Sequence, residues 1–526
     1  MLKDIKIKVA SYDRANLGLI VLSGFVLSLP FLRIQLGWLG FITLLPFLYL
    51  LLRFEKKKLK TRKIIKYIWL VGMVFMAITI SWMFQLNTVG LLQDPITKVI
   101  FLPLTLGLMV LFFSSGFALF GWLYTKLKVS LNNKSSFLLL PAIWVVGEFV
   151  RSVVFSICSL GEGGSVGMHW NFGALGLGVA VTPMVFASRI VGLFGLSFVM
   201  VLINLSIFQL IRRKFVVYSI GIILACLAVA LIGFYGYRHT TASAPQKVGI
   251  VHLGPLEDID YENSLLSQSD KVNDKVDLVI FPEYSHLFEE DRLKDADQAI
   301  VNKLVEGPDS RIITTRSVTD NGKDTNAIVE LTTDNKEISK QGKTFLIPGG
   351  EYVPYIYKAL LIASANYELI RHHEGQNTVY QSKVPIKPIN IQGVNYGVLA
   401  CSGIIAPEFY RGLVNDGASV LVNSASLSTM GMGKEFFDQA YQMARFQAVA
   451  NSRPLIQSAR GEKSYIMNHN GQIVIQNNKQ DTTYMIGYLY PNSAKTIYSL
   501  LGEWVAYSSI IGLFIYGAIN FFKNKN

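Results

Sequence analysis

The sequence predicts a multi-span α-helical membrane bundle carrying an α/β domain outside the cytoplasm, and three observations predict it. The 526 residues are 51% hydrophobic, with a mean hydropathy of +0.37, which is too apolar for a soluble chain of this length. Apolar runs long enough to cross a hydrocarbon core of about 30 Å recur along the first half and return at the end. From Ala244 the texture changes to short β-branched runs between polar turns.

The apolar runs are Leu17 to Leu32, Leu36 to Leu52, Tyr67 to Phe84, Val99 to Tyr124, Phe137 to Cys158, Ile190 to Ile211, Val216 to Tyr235 and Leu500 to Phe522. Basic clusters lie at Lys3 to Arg14, Arg53 to Lys66, Lys126 to Lys134, Arg212 to Lys214 and Lys523 to Lys525. The positive-inside rule puts all of them in the cytoplasm, and an eight-span path satisfies every one. The net charge of +13 is thereby accounted for by topology, with no nucleic-acid partner. The first run lacks a small-residue cleavage site and predicts a retained anchor. Asn171 to Ser188, apolar but short and glycine-rich, predicts an interfacial or re-entrant segment on the outer side.

The path leaves the region between the seventh and eighth runs outside the cytoplasm. The expected organisation is a membrane domain over 1–243, a catalytic domain over 244–491, and a last membrane helix with its basic tail over 492–526. Strands are expected at Lys247 to Leu253, Val276 to Phe281, Arg311 to Val318, Ala327 to Leu331, Tyr396 to Ala400, Ser419 to Asn423, Leu455 to Ser458 and Ile473 to Gln476. Helical stretches such as Glu435 to Asn451 lie between them, the pattern of a layered α/β domain.

Of three cysteines, Cys158 and Cys226 lie within apolar runs and Cys401 stands alone in the polar domain, so no disulfide framework can form there. Three places put a reactive side chain at the end of an apolar strand: Glu283 after Phe281-Pro282, Lys343 in Lys343-Thr-Phe-Leu-Ile-Pro348, and Cys401 after Val398-Leu-Ala. A thiol needs a base and an electropositive surrounding before it attacks, which a Glu and a Lys supply together. Taken singly, each has a plainer account: a buried small hydrophobe, a turn residue and a solvated lysine. Glu148 and Arg151 lie three apart on a strongly apolar helix and must face the bundle interior, either as a structural ion pair or to hold lipid head groups. The histidines form no HxxxH or HExxH pattern, and the adjacent His372 and His373 point apart on a strand, so no metal is expected.

Together, Glu283, Lys343 and Cys401 resemble the carbon–nitrogen hydrolase (nitrilase) superfamily, whose Glu, Lys and Cys occupy three strand ends in this order. The membrane runs select the apolipoprotein N-acyltransferase branch. Its pattern is carried by Pro141-Ala-Ile-Trp-Val-Val-Gly-Glu148-Phe-Val-Arg151, by Gly350-Glu351-Tyr352-Val353-Pro354 after the lysine segment, and by Gln442-Met-Ala-Arg445-Phe-Gln-Ala with Ala450-Asn451-Ser-Arg453-Pro454. The resemblance implies an αββα sandwich in the plasma (inner) membrane's outer compartment and a ping-pong acyl transfer without a cofactor. Glu283 is then the general base, Cys401 the nucleophile and Lys343 the oxyanion partner, with Glu351 positioning the lysine. The implied donor is a phospholipid such as phosphatidylethanolamine and the implied acceptor a lipoprotein. Asn326 and Tyr261 match positions near the site, or serve as a turn Asn and a packing Tyr.

Two stretches depart from the family. Ser402-Gly403 replace the usual Tyr-Glu, and Asn423-Ser-Ala-Ser-Leu427 replaces Asn-Asp-x-Trp-Phe, removing a carboxylate and bulky aromatics from the rim. A membrane-tethered amidase and a silent lipid- or lipoprotein-binding homologue therefore remain alternatives; a transporter fits the spans but not the chemistry-bearing domain.

Overall fold

A computed structural model describes residues 2–85, 95–237, 244–254, 275–285, 294–320, 323–363, 367–368, 370–371, 385–427, 433–461, 463–477 and 481–523. Tyr261, His372 and His373 lie outside the described residues. Among those described, eight helical segments are long and apolar enough to span a membrane: Ala15–Leu32, Ile34–Lys57, Thr61–Gln85, Leu102–Lys126, Ser136–Cys158, Pro183–Ile211, Val216–Tyr235 and Trp504–Lys523.

The helices are α1 (Leu2–Leu32), α2 (Leu45–Lys57), α3 (Thr61–Thr79), α4 (Pro95–Lys126), α5 (Ser136–Cys158), the single turn α6 (Leu175–Gly178), α7 (Ser188–Ile211) and α8 (Val216–Tyr235). The basic linkers after α4 and α7 meet the end of α2 at one end of the bundle. There Glu55 accepts hydrogen bonds from Tyr124, Ser130 and the Leu131 amide, while Arg212 and Lys214 donate to Asn132. Residues 171–187 form short turns packed inside the protein instead of a ninth span. Glu148 pins this segment, accepting from Trp144 Nε1 at 2.8 Å and from the Leu175 amide at 2.9 Å. The α7 helix breaks at Gly192, whose φ of 72° and ψ of −166° suit glycine. The amides of Leu193 and Phe194 freed by the break donate to Glu503, at the foot of the last span.

The polar region holds two six-stranded sheets. One contains β1 (Gln246–His252), β2 (Leu278–Ile280), β3 (Arg311–Asp320), β4 (Lys323–Thr332), β5 (Glu337–Gly342) and β12 (Thr483–Leu489), in the order β12-β1-β2-β3-β4-β5. The other contains β6 (Ile389–Ile391), β7 (Val394–Ala400), β8 (Val420–Ser426), β9 (Leu455–Arg460), β10 (Tyr465–Met467) and β11 (Ile473–Gln476), in the order β11-β10-β9-β8-β7-β6. The centre of each is parallel, β1-β2-β3 and β7-β8-β9. Alternation sorts the faces: Val248, Ile250, Leu278 and Ile280 meet Val398, Val420, Val422 and Ile456 between the sheets. Val251, Val279 and Ile312 turn outward onto Ile300, Val301 and Leu304 of the helix Lys294–Leu304. The outer face of the second sheet is covered by the helices Pro407–Asn415 and Lys434–Ala450, which pack on the bundle in one continuous core. The αββα order thus ends against the membrane helices.

Hydrogen bonds fix this junction. Gln439 donates to the carbonyls of Phe31 and Thr79, and Gln442 to that of Pro30; all three carbonyls lie at helix C-terminal ends, where the helix itself offers no partner. Arg445 donates to Val181 O, and the buried Arg189 of α7 donates to Val449 O and His469 O.

Candidate active site

Glu283 stands three residues beyond β2, Lys343 one beyond β5, and Cys401 one beyond β7. The edge of the sandwich brings them together. Lys343 Nζ lies 3.0 Å from Glu283 Oε1 and 2.6 Å from Glu351 Oε1. Glu283 Oε1 also accepts from Asn326 Nδ2 at 2.6 Å, and its charge acts on the buried Cys401 thiol. Asn326 O in turn receives the Lys343 amide at 2.7 Å, so β4 orients both the base and the cation. Glu351 is held by the Ile347 amide at 2.8 Å, closing a loop that returns the second carboxylate to the lysine.

The surroundings of Lys343 differ from the sequence expectation. The strand before it, β5, is half-exposed and polar, and Phe345 to Ile347 form an irregular loop rather than a strand. The lysine amide still bonds to β4, and past it the chain leaves the sheet while the apolar residues that follow anchor the loop on the bundle. Tyr352 OH donates to Ser159 O at 2.8 Å, and Phe345 packs on Trp170 and His169, both from the end of the bundle that meets the sandwich.

Cys401 has φ of 40° as the chain turns from β7 into a 3₁₀ turn, Cys401–Ile405. A non-glycine residue there carries strain of about 1–3 kcal/mol, a feature concentrated at reactive positions. Its sulfur lies 3.4 Å from Ser426 O. The next residue, Ser402, donates to Phe345 O. At position 403 a Cβ would lie 2.6 Å from Leu399 Cβ, so the glycine found in place of a glutamate is matched by close local packing.

Charge is concentrated out of water. Burial pushes the Glu283 carboxyl above its ordinary range, with Lys343 opposing and Glu351 reinforcing the rise. Burial pulls the Lys343 proton off, but Glu283 and Glu351 outweigh it and hold the ammonium well above the usual lysine value. Burial and then Glu283 raise the Cys401 thiol, against the pull of Lys343. Burial and the neighbouring carboxyls thus favour the neutral thiol at Cys401. Among the described residues no three His, Cys, Asp or Glu side chains converge as metal ligands.

Residues 23–206 match the family model for the apolipoprotein N-acyltransferase N-terminal domain, and residues 264–497 match that for carbon–nitrogen hydrolase. Among solved structures, a carbon–nitrogen hydrolase from Helicobacter pylori G27 aligns at 16% identity and a TM-score of 0.35, over 47% of this chain and 89% of that one. The apolipoprotein N-acyltransferase of Rickettsia prowazekii is 24% identical across 72% of this chain and 75% of its own length. That of Haemophilus influenzae is 24% identical across 96% and 95%. The chain thus joins an apolipoprotein N-acyltransferase N-terminal domain to a carbon–nitrogen hydrolase domain.

The family motifs separate by location. Glu351-Tyr352 serves the cluster and its loop, whereas Gln442 and Arg445 fasten the sandwich to the bundle. Glu148 and Arg151 lie inside the bundle. Arg151 Nη1 approaches Met76 Sδ at 3.2 Å, while its Nε and Nη2 have no hydrogen-bond partner among the described residues. Sequence reasoning did not single out Tyr284, the residue directly after Glu283, which has φ of 55° and whose phenol is pushed up by burial and then by the Glu283 charge. Its adjacency to the base was the one available signal.

Proposed function

We propose that this protein transfers a fatty acyl group from a phospholipid, through a thioester on Cys401, to the α-amino group of the diacylglyceryl-cysteine of a lipoprotein. The observation that carries the reading is the buried carboxylate Glu283, bonded to the Lys343 ammonium at 3.0 Å, with the buried Cys401 thiol in the same charged cluster. In the first half-reaction Glu283 takes the thiol proton as Sγ attacks the ester carbonyl. The developing oxyanion is stabilised by Lys343, a contribution of about 10²–10³ in rate for one such donor. The intermediate collapses to the thioester, and the lysophospholipid alkoxide leaves with the proton from Glu283. In the second half-reaction the amine attacks, Glu283 takes its proton, and the carbon–sulfur bond breaks to return the thiol. Glu351 holds the ammonium in place, and Asn326 orients the base.

The one-sided cluster of basic linkers supports a path with that end in the cytoplasm and the site on the extracytoplasmic face of the plasma (inner) membrane. Phosphatidylethanolamine is the proposed donor. The test uses the full chain in detergent with alkyne-tagged phosphatidylethanolamine, with and without a diacylglyceryl-cysteine peptide, against Cys401→Ala. The expected result is a hydroxylamine-labile adduct on the wild type alone, discharged onto the peptide. An adduct that decays only to free fatty acid would favour the hydrolase, and no adduct would defeat both enzyme readings.

A further inference from the structure

The loop that carries Lys343 is held from two sides. On the sandwich, the Lys343 amide bonds to Asn326 O, and Ser402 Oγ, one residue past the nucleophile, donates to Phe345 O. On the bundle, the loop rests against the segment that follows α5. The Tyr355 amide donates to Leu160 O at 2.7 Å, Tyr352 OH donates to Ser159 O, and Phe345 meets the rings of His169 and Trp170.

His169 is buried, at 4% exposure, and the acyl transfer described above gives it no task. Its ring stands between the two segments that present the reacting groups. It meets Phe345, two residues past Lys343, edge-on with centroids 4.8 Å apart, and stacks on Phe409 at 5.3 Å. Phe409 belongs to the helix Pro407–Asn415, which begins where the turn Cys401–Ile405 ends. Nδ1 lies against Glu408 Oε1 of that helix, a contact that favours a ring proton on this nitrogen, and Nε2 lies 3.3 Å from Ser165 Oγ. The same Glu408 oxygen accepts from the Met168 amide at 3.2 Å. Gly167 makes room for the ring, because a Cβ there would lie 2.3 Å from His169 Nε2. Both nitrogens and two sides of the imidazole are thus engaged.

We infer that His169 is a positioning residue for the thioester chemistry: it wedges Phe345 against Phe409 and Glu408, and so fixes the Lys343 ammonium relative to the Cys401 sulfur. The inference rests on the acyl-transfer reading above. A cleft of about 270 Å³ lies alongside, lined by Lys343, Phe345, Leu399, Ala400, Gly403 and Phe409. Without the imidazole, Phe345 is free to relax toward that space. Because Phe345 follows Lys343 closely and its carbonyl holds Ser402, the shift reaches the cation and the nucleophile together. A misplacement of about 1 Å costs up to about 10²-fold in rate. The loss falls on the chemical step and not on capture of the donor.

The test follows acylation of Cys401 against the concentration of alkyne-tagged phosphatidylethanolamine, with full chains in detergent below the melting temperature of each. The wild type is compared with His169→Ala, His169→Phe, Gly167→Ala and, as a destabilised control away from the cluster, Gln442→Leu. His169→Ala is expected to lower the maximal acylation rate about tenfold at an unchanged half-saturating donor concentration. His169→Phe keeps the ring contacts and is expected to stay within about threefold of the wild type. Gly167→Ala, which pushes a methyl group into the ring's place while keeping the imidazole, is expected to slow acylation in the same sense, and Gln442→Leu to keep the wild-type rate. Folded Ala variants at either position that acylate at the full rate overturn the positioning role. So does a half-saturating concentration that rises at an intact maximal rate, which would place His169 in donor binding, and so does a Phe variant as slow as His169→Ala. A wild type that forms no adduct defeats the acyl-transfer reading itself, and the positioning role with it.

Discussion

Two regions of the molecule bury a glutamate with a cation, and they use the pair differently. In the sandwich, Glu283 and Glu351 close on Lys343 from two sides, and Asn326 and the Ile347 amide occupy further carboxylate lone pairs. In the bundle, Glu148 gives its Oε1 to Trp144 and the Leu175 amide, while Arg151 keeps two nitrogens without a hydrogen bond among the described residues. The first cluster has more acceptors than its cation needs, and a thiol beside it. The second is one carboxylate engaged in holding the packed turns of residues 171–187. A buried charge pair is therefore not a functional signal by itself; what separates the two is a buried thiol in the first cluster.

The largest expected difference comes from removing each cation. Lys343→Met leaves two buried carboxylates facing each other, and is expected to lower unfolding stability by about 3–5 kcal/mol and to cut Cys401 acylation by about 10³-fold. Arg151→Met is expected to leave acylation within a few-fold of wild type, with the loss confined to stability. If Arg151→Met abolishes adduct formation at an unchanged melting temperature, the comparison breaks and the bundle pair serves the lipid. A double variant sharpens it: adding Glu148→Gln to Arg151→Met should recover about 1 kcal/mol or more, since the lone buried charge is gone while the Trp144 and Leu175 contacts survive. Adding Glu283→Gln to Lys343→Met recovers stability but no acylation.

A subtler difference is in the pH profile of acylation. Glu283 must be ionised to take the thiol proton, and its raised pKa places the rising limb above the ordinary carboxylate range. Lys343 must stay protonated, and its raised pKa places the falling limb beyond the ordinary lysine value. Glu351 raises both groups. Glu351→Gln should therefore move both limbs downward together, a shift of the coupled cluster rather than of one residue. A profile in which only one limb moves would separate the two groups and remove Glu351 from the charge network.

Much of this was legible in the residues because the signals were local. Hydropathy marked the spans, and alternation marked the core strands. Strand ends marked Glu283 and Cys401. What was not legible was pairing between distant segments. The expected strands omitted β5, which is polar and half-exposed, β6 and β10, which have three residues each, and β12, whose place is set by its antiparallel ladder with β1. Lys343 was identified although its local setting was misread, since its approach to Glu283 depends on the β4–β5 pairing. Tyr284 could not be singled out because the left-handed backbone that aims it is fixed by β3 hydroxyls some thirty positions away.

The smallest expected effect concerns a family motif that lies at the junction of sandwich and bundle. Gln442 sits in the stretch that helped mark the family, yet its amide ends on the Pro30 carbonyl at the close of α1, in the interface between sandwich and bundle. Gln442→Leu keeps the volume and removes one hydrogen bond to a buried carbonyl, a loss of about 1 kcal/mol. Gln439→Leu removes two, to Phe31 O and Thr79 O, and should cost more. Both variants should acylate Cys401 at the wild-type rate below their lowered melting temperatures. The glutamines would then hold the active site over the membrane without entering its chemistry, and a rate loss at full stability in either one would show that the junction also sets the geometry of the cluster.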